Sequence, residues 1–212
     1  MIITIDGPAG AGKSTVARRL AERLGFRYLD TGAMYRALTW LAMQRGLPLG
    51  DPEPLYELAR DNPVVFDEVG RVSIAGTDVT TSIRQSRIDR MVVVVARHPE
   101  VRAVMRERQR ELAAHGNAVI EGRDIGTAVL PWAELKIYLV AEMAIRAQRR
   151  QAERPDIGAD ALTTDIKTRD ESDRVRLQPA PDAVEIDTTH LQVDDVVARI
   201  EELIRERSLS PS

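Results

Sequence analysis

The sequence predicts an α/β protein with a five-stranded parallel sheet flanked by helices and a small antiparallel β insertion. Three observations carry this. Five short apolar runs read as strands buried on both faces: "IITID" (2–6), "FRYLD" (26–30), "AVIEG" (118–122), "LKIYLV" (135–140) and "AVEID" (183–187). Helical patterns lie between them, the rhythm of strands joined by crossover helices. One stretch breaks that rhythm: "VVFDEVGRVSIAG" (64–76) has two alternating runs about a Gly turn, a hairpin.

Taken in order, the elements justify themselves locally. After the first strand, Val16, Leu20 and Leu24 mark one helical face from Ser14, and Gly25 stops the helix. Thr31 is placed to cap a second helix running to about Arg45, with Gly46 behind it. Asp51-Pro52 is a cap followed by proline at the first helical position, so a short third helix follows. "MVVVV" (91–95) is ambiguous: its propensity is for strand, but the flanking "SRIDR" and "ARHPEVR" permit a buried helix. Pro99 to about Ala114 is helical. Helices follow the last two strands, the closing one from Val193 to about Arg207, with "SLSPS" as a frayed tail.

The chain has 212 residues, 43% hydrophobic and 30% charged, with a net charge of −3. That suits one domain with a sizeable insertion. No basic excess points to a nucleic acid polymer, and no apolar run approaches membrane-spanning length. The absence of cysteine excludes disulfides and thiolate metal sites and fits the cytoplasm. The glycine-rich loop starts at Gly7, so no secretory leader is expected ahead of it. Nothing apolar suggests an oligomer, so a monomer is expected. Of the 30 basic residues only Lys13, Lys136 and Lys167 are lysine. In a chain that otherwise uses Arg, Lys13 answers a need for a compact ammonium.

"GPAGAGKS" (Gly7 to Ser14) fits G-x-x-x-x-G-K-[ST] in full, between a strand and a helix. Gly7, Pro8, Ala9, Gly10, Ala11 and Gly12 form a loop whose backbone N–H groups curl around phosphate oxygens. Lys13, Ser14 and Thr15 open the helix, whose positive end adds to the site. Lys13 bridges the β- and γ-phosphates of a nucleoside triphosphate such as ATP, and Ser14 is a ligand for Mg²⁺. Asp30 or Glu121, at strand ends, is a candidate to hold Mg²⁺ through water, although either could cap a helix or pair with an Arg. "DEVG" (67–70) matches a GTPase motif but falls in the hairpin turn, and no N-K-x-D motif exists. His98, His115 and His190 are scattered and read as structural or surface groups.

A phosphate loop alone leaves open a nucleotide-dependent switch and a small-molecule kinase. A kinase needs an acceptor site, and arginines mark one: Arg36 in "YLDTGAMYRA", Arg102 in "PEVR", Arg123 in "EGRDIGT", and Arg169 and Arg176 in "KTRDESDRVR". Guanidinium forks match phosphate oxygens bidentately.

With "DGPAGAGKST", "LGFRYLDTGAMYRA", "EGRDIGTAV", "RDESDR" and "IDTT" in this order, the chain resembles the bacterial cytidylate kinases over essentially its whole length. The resemblance implies a P-loop fold, with ATP as phosphoryl donor and CMP or dCMP as acceptor. It implies a single kinase domain: a core of 1–50 and 98–212, an NMP-binding insertion at about 51–97, and a lid at about 146–170 that closes over ATP. Thr31, Arg36, Arg123 and Arg169 would contact the acceptor phosphate. Arg102 and Asp124 would read cytosine, and Asp173 and Arg176 would lie near the sugar and the reacting phosphates. Lys13, Arg123, Arg169 and Arg176 would be the catalytic cations. Cytosine suits the pair: a carboxylate accepts from its amino group, and an Arg donates to N3. The family often has a small hydroxyl residue where Val93 stands here.

In the lid, "IRAQRRQAER" spaces Arg146, Arg150 and Arg154 along one helical face. Arg150 and Arg154 are candidates to contact ATP, and Arg146 reads as part of a charged solvent face. Kinases for UMP or another small acceptor stay open on the same scaffold.

Overall fold

The computed structural model describes residues 1–67, 70–155 and 157–209, the last two by backbone alone. In chain order the elements are β1 (Ile2–Asp6), α1 (Lys13–Leu24), β2 (Arg27–Asp30), α2 (Thr31–Gln44), α3 (Pro52–Asp61), β3 (Val65–Phe66), β4 (Val72–Ile74) and β5 (Thr77–Asp78). A 3₁₀ turn (Ser82–Arg84), α4 (Ser86–Val95), α5 (Pro99–Ala113), β6 (Ala118–Glu121) and a π-helical turn (Ile125–Val129) follow. The chain closes with β7 (Leu135–Val140), α6 (Met143–Glu153), α7 (Ala159–Asp173), β8 (Val184–Asp187) and α8 (Val193–Leu209). Two compact units result: Met1–Leu29 with Gly116–Ser212, and Asp30–His115. The expected insertion, 51–97, lies inside the second unit, which also takes in α2 and α5.

In the first unit the five expected strands form one sheet in the order β2-β6-β1-β7-β8. β1 pairs in parallel with β6 (Ile3 opposite Val119) and with β7 (Ile3 opposite Leu135), and β7 pairs in parallel with β8. Ile3, Ile5, Val119, Leu135, Ile137 and Leu139 are almost wholly buried, as sequences without alternation require. Val16, Ala17 and Leu20 of α1 and Val196, Val197 and Ile200 of α8 complete this core. Gly25 ends α1 with φ 65°.

The second unit has its own core, built from Met34, Leu38 and Leu41 of α2, Leu55 and Leu58 of α3, and Ile74 of β4. The hairpin is present as β3 and β4, antiparallel with Val65 opposite Ser73. A third strand, β5, joins it. Two residues pair there, too few to leave a periodic mark in the sequence. Glu68 and Val69 of "DEVG", and the tail beyond Leu209, lie outside the described residues.

Three expectations are settled or corrected. "MVVVV" is helical: α4 buries Ile88 and Val95, seven positions apart on one face, and leaves Val92 to Val94 half-buried. The cap of α2 is Asp30, not Thr31. Asp30 is extended and its carboxylate accepts from the Ala33 N–H at 2.8 Å, while Thr31 is already the first helical residue. Arg154 does not share a helical face with Arg146 and Arg150, because α6 ends at Glu153 and Arg154 has left helical geometry (φ −135°, ψ 67°).

Candidate active site

The strand-to-helix geometry of 7–14 leaves no room for a side chain at Gly7 or Gly10. A Cβ on Gly7 would lie 2.1 Å from the Leu139 carbonyl oxygen, so the chain must pass β7 here as glycine. One on Gly10 would meet Arg146 Cβ at 2.9 Å, at a φ of 79° that L side chains rarely adopt. The loop is held from outside as well. Arg146 donates to the Ala9 carbonyl at 3.1 Å, and the Thr188 hydroxyl donates to the Ala11 carbonyl at 3.1 Å. Arg149 in turn donates to the Thr188 hydroxyl at 2.9 Å and to its carbonyl at 2.6 Å.

Arg146 therefore corrects the expectation of a solvent face. It is 7% exposed, paired with Asp170 of α7 at 2.6 Å, and donates to the Ala141 carbonyl. The face spacing was legible in sequence, but its burial arises from α7 and the phosphate loop, which both pack against it. Arg150, by contrast, pairs with Glu153 at 2.8 Å on its own helix.

Lys13 is buried and donates to the Pro8 carbonyl at 2.8 Å. Burial, with the Arg123 guanidinium pushing the same way, lowers its pKa to about 7 against the pull of Glu121, Asp6 and Asp173. Between about pH 7 and 10.5 the unfolded chain thus binds a proton that the folded chain does not, and Lys13 makes stability rise with pH across that window. A bound polyphosphate favours the ammonium. At about pH 8 we expect binding of an ATP analogue to take up as much as about one proton, measured calorimetrically in buffers of differing ionisation enthalpy. Uptake that is absent in the wild type, or unchanged in Lys13→Met, would contradict this.

Glu121, at the end of β6, accepts from the Ser14 hydroxyl at 2.8 Å and from the Tyr28 hydroxyl. Hydroxyl and carboxylate oxygens on adjacent residues are the hard donors that Mg²⁺ prefers. Asp30 is engaged otherwise: besides capping α2 it pairs with Arg36 at 2.7 Å and Arg84 at 3.1 Å. Burial pushes its carboxyl up, but the two guanidiniums and the Ala33 N–H outweigh this and hold it below the ordinary range. Among the described residues no three acidic or His groups cluster as a ready-made metal site.

The arginines of the first unit form a chain. Arg123 donates to the Gly7 carbonyl and to the Asp173 carboxylate, each at 3.1 Å, and Asp173 pairs with Arg176 at 2.5 Å. Three residues singled out in the sequence thus meet beside the phosphate loop, because Asp173 ends α7 and Arg176 follows one turn later. Arg169 is half-buried one turn before Asp173 on the same helix, and Asp124 is half-buried ahead of the π-helical turn. In the second unit, Thr31 is buried at the start of α2, and Arg36 is one turn on, beside Asp30. Arg102 is half-buried on α5. The sequence reading gave no separate role to Tyr28, Thr188 or Asp6, although they stand in the motifs "LGFRYLDTGAMYRA", "IDTT" and "DGPAGAGKST", and Arg84 lies outside every motif it used.

The cytidylate kinase family model matches residues 3–206. The chain belongs to the cytidylate kinase family. A cytidylate kinase of Geobacillus kaustophilus (strain HTA426) is 49% identical over 216 residues, covering 97% of this chain and 96% of that protein. A bifunctional pantoate ligase/cytidylate kinase of Synechococcus sp. (strain JA-3-3Ab) is 47% identical over 98% of this chain but 42% of that protein. The chain thus spans about two fifths of the length of such bifunctional relatives. Among solved structures, the shikimate kinase of Acinetobacter baumannii in complex with shikimate aligns with a TM-score of 0.51 at 20% identity, over 99% of this chain and 95% of that one. That likeness concerns the fold, which this member of the cytidylate kinase family shares as a phosphate loop on a parallel sheet. Its described helices include none long and apolar enough to cross a membrane.

Proposed function

We propose that this chain transfers the γ-phosphoryl group of ATP to CMP and dCMP, giving CDP and dCDP. The observation that carries the reading is the cationic chain beside the phosphate loop: buried Lys13, with Arg123, Asp173 and Arg176 linked to the loop through the Gly7 carbonyl. Family membership supplies the acceptor.

The acceptor phosphate is already an anion, so no catalytic base is needed. The bond from Pγ to the ADP oxygen breaks as one to the acceptor oxygen forms, and no proton moves. What the protein contributes is position and charge. Lys13, with the ammonium restored by the polyphosphate, neutralises the β- and γ-oxygens. Arg123, Arg169 and Arg176 stabilise the charge on the transferring group. Thr31 and Arg36 hold the acceptor phosphate, and Asp124 and Arg102 read the amino group and N3 of cytosine. Asp173 spaces Arg123 from Arg176 near the sugar, and Arg150 and Arg154 attend the donor. Ser14 and Glu121 are the residues that would hold Mg²⁺, which would offset the negative charge of the donor phosphates. The protein acts as a monomer in the cytoplasm.

A coupled ADP-release assay with CMP, dCMP, UMP, AMP and shikimate tests this. Turnover stimulated by CMP and dCMP is expected; none by either would overturn the reading, and preference for UMP would replace it with the alternative acceptor. Uracil presents an acceptor to Asp124 and a donor to Arg102, so discrimination of roughly 1–3 kcal/mol per mismatched pair is expected. Asp124→Asn should raise the KM for CMP by about tenfold or more and leave ATP binding nearly unchanged. Equal loss of both would show that Asp124 does not read the base.

Water competes as acceptor, so closure of the lid is expected when both nucleotides are present. Amide exchange in 140–176 should slow with CMP plus a non-hydrolysable ATP analogue. Unchanged protection there would count against closure.

A further inference from the structure

Asp6 is the last residue of β1 and 5% exposed, and no step of the phosphoryl transfer uses it. Its two oxygens accept from the backbone of the π-helical turn, Oδ1 from the Ile125 N–H at 3.0 Å and Oδ2 from the Gly126 N–H at 2.8 Å. These are the first N–H groups of that turn, which have no partner within it. Inside the turn, Ala128 and Val129 donate back to the Asp124 carbonyl at 2.8 and 3.3 Å. Asp124 is thus fixed on both sides: its carbonyl starts the turn, and the next two residues are clamped by Asp6.

A second seat on the same strand face holds the turn. Residues i and i+2 of a strand share a face, so Thr4 lies beside Asp6. A Cβ on Gly126 would meet Thr4 Oγ1 at 2.9 Å and Lys136 Cδ at 3.2 Å, so the turn lies flat on β1 and β7. The Lys136 ammonium is held away by the Pro131 carbonyl and Asp182. The strand that leads into the phosphate loop therefore also carries the turn that follows Arg123 and Asp124.

We infer that Asp6 is a positioning residue for the acceptor nucleotide, acting through the Ile125–Gly126 backbone to place Arg123 and Asp124. The inference rests on the assignment of Asp124 to the base. Burial raises the Asp6 carboxyl to about 6, with Asp124 adding to this, while the two N–H groups and Lys13 oppose it.

The test is Asp6→Asn, which keeps the shape but turns an amide N–H₂ toward a backbone N–H. The expected result is a KM for CMP raised about tenfold, with the preference for CMP over UMP reduced by a similar factor. The affinity for ATP should stay within about threefold. Thr4→Val, which keeps the shape of that seat and removes a hydroxyl without a hydrogen bond among the described residues, should leave all three unchanged. The double variant with Asp124→Asn should lose no more discrimination than Asp124→Asn alone. A CMP KM within about twofold of wild type, or equal loss for CMP and ATP, overturns the inference. If Asp6→Asn does not fold, Asp6→Glu carries the same expectation by pushing the turn outward, and retained CMP preference overturns it. Failure of the function itself is distinct, since wild type would then show no CMP-stimulated turnover.

Discussion

Lys13→Ala is expected to reduce phosphoryl transfer by about three orders of magnitude or more, since it removes the ammonium that the phosphate loop holds through the Pro8 carbonyl. The larger interest is in stability. Lys13 is buried, and burial works against its charge strongly enough to bring the pKa to about 7. Deleting the group removes that strain together with the packing of the aliphatic stem, two effects of opposite sign. The melting temperature should therefore change little, within about 1 kcal/mol of wild-type stability. The rise of stability with pH between about 7 and 10.5 should flatten in the variant. Steady-state rates with ATP and CMP, with thermal melts at two pH values, check both parts. Substantial residual turnover, or a collapse of the fold, would contradict this account of Lys13.

Arg146→Ala should do the reverse, with its main effect on the fold. Arg146 joins α6 to α7 through Asp170 and backs the phosphate loop through the Ala9 carbonyl. Truncation leaves Asp170 without its cation and two carbonyls without their donor. Breaking a buried pair in this way costs about 3 kcal/mol, roughly 6–12 °C in melting temperature for a chain of this size. ATP affinity should fall as well, because the loop loses its outer support. Chemical denaturation of Arg146→Ala, Asp170→Asn and the double variant separates the pair from its backbone contacts. A loss below about 1 kcal/mol would return Arg146 to the solvent face that its sequence suggests.

The contrast between these residues shows what was legible in the chain. Lys13 could be read because its neighbours along the sequence specify its role. They are glycines that admit backbone N–H groups, set in a strand-to-helix turn. Arg123 and Asp124 were singled out for the same reason, standing between glycines at a strand end. Arg146 was misread because helical spacing gives the face but not what covers it. Asp30 displaced Thr31 as the cap because both are good capping residues and the choice turned on one residue's backbone angles. In "MVVVV", strand propensity lost to packing on one helical face.

The sequence by itself determined the strand order along the chain, the phosphate loop, the positions of the cationic residues and, through its motifs, the family. Those features are written in contiguous or periodic residues. Only the tertiary structure decided which charges are neutralised by which, and what holds each functional segment in place. Arg123 meets the Gly7 carbonyl across 116 positions, and Asp6 meets Gly126 across 120. Parallel strands bring such residues together at their carboxyl ends. A hydrogen bond between neighbouring strands leaves no spacing in the sequence by which to find it.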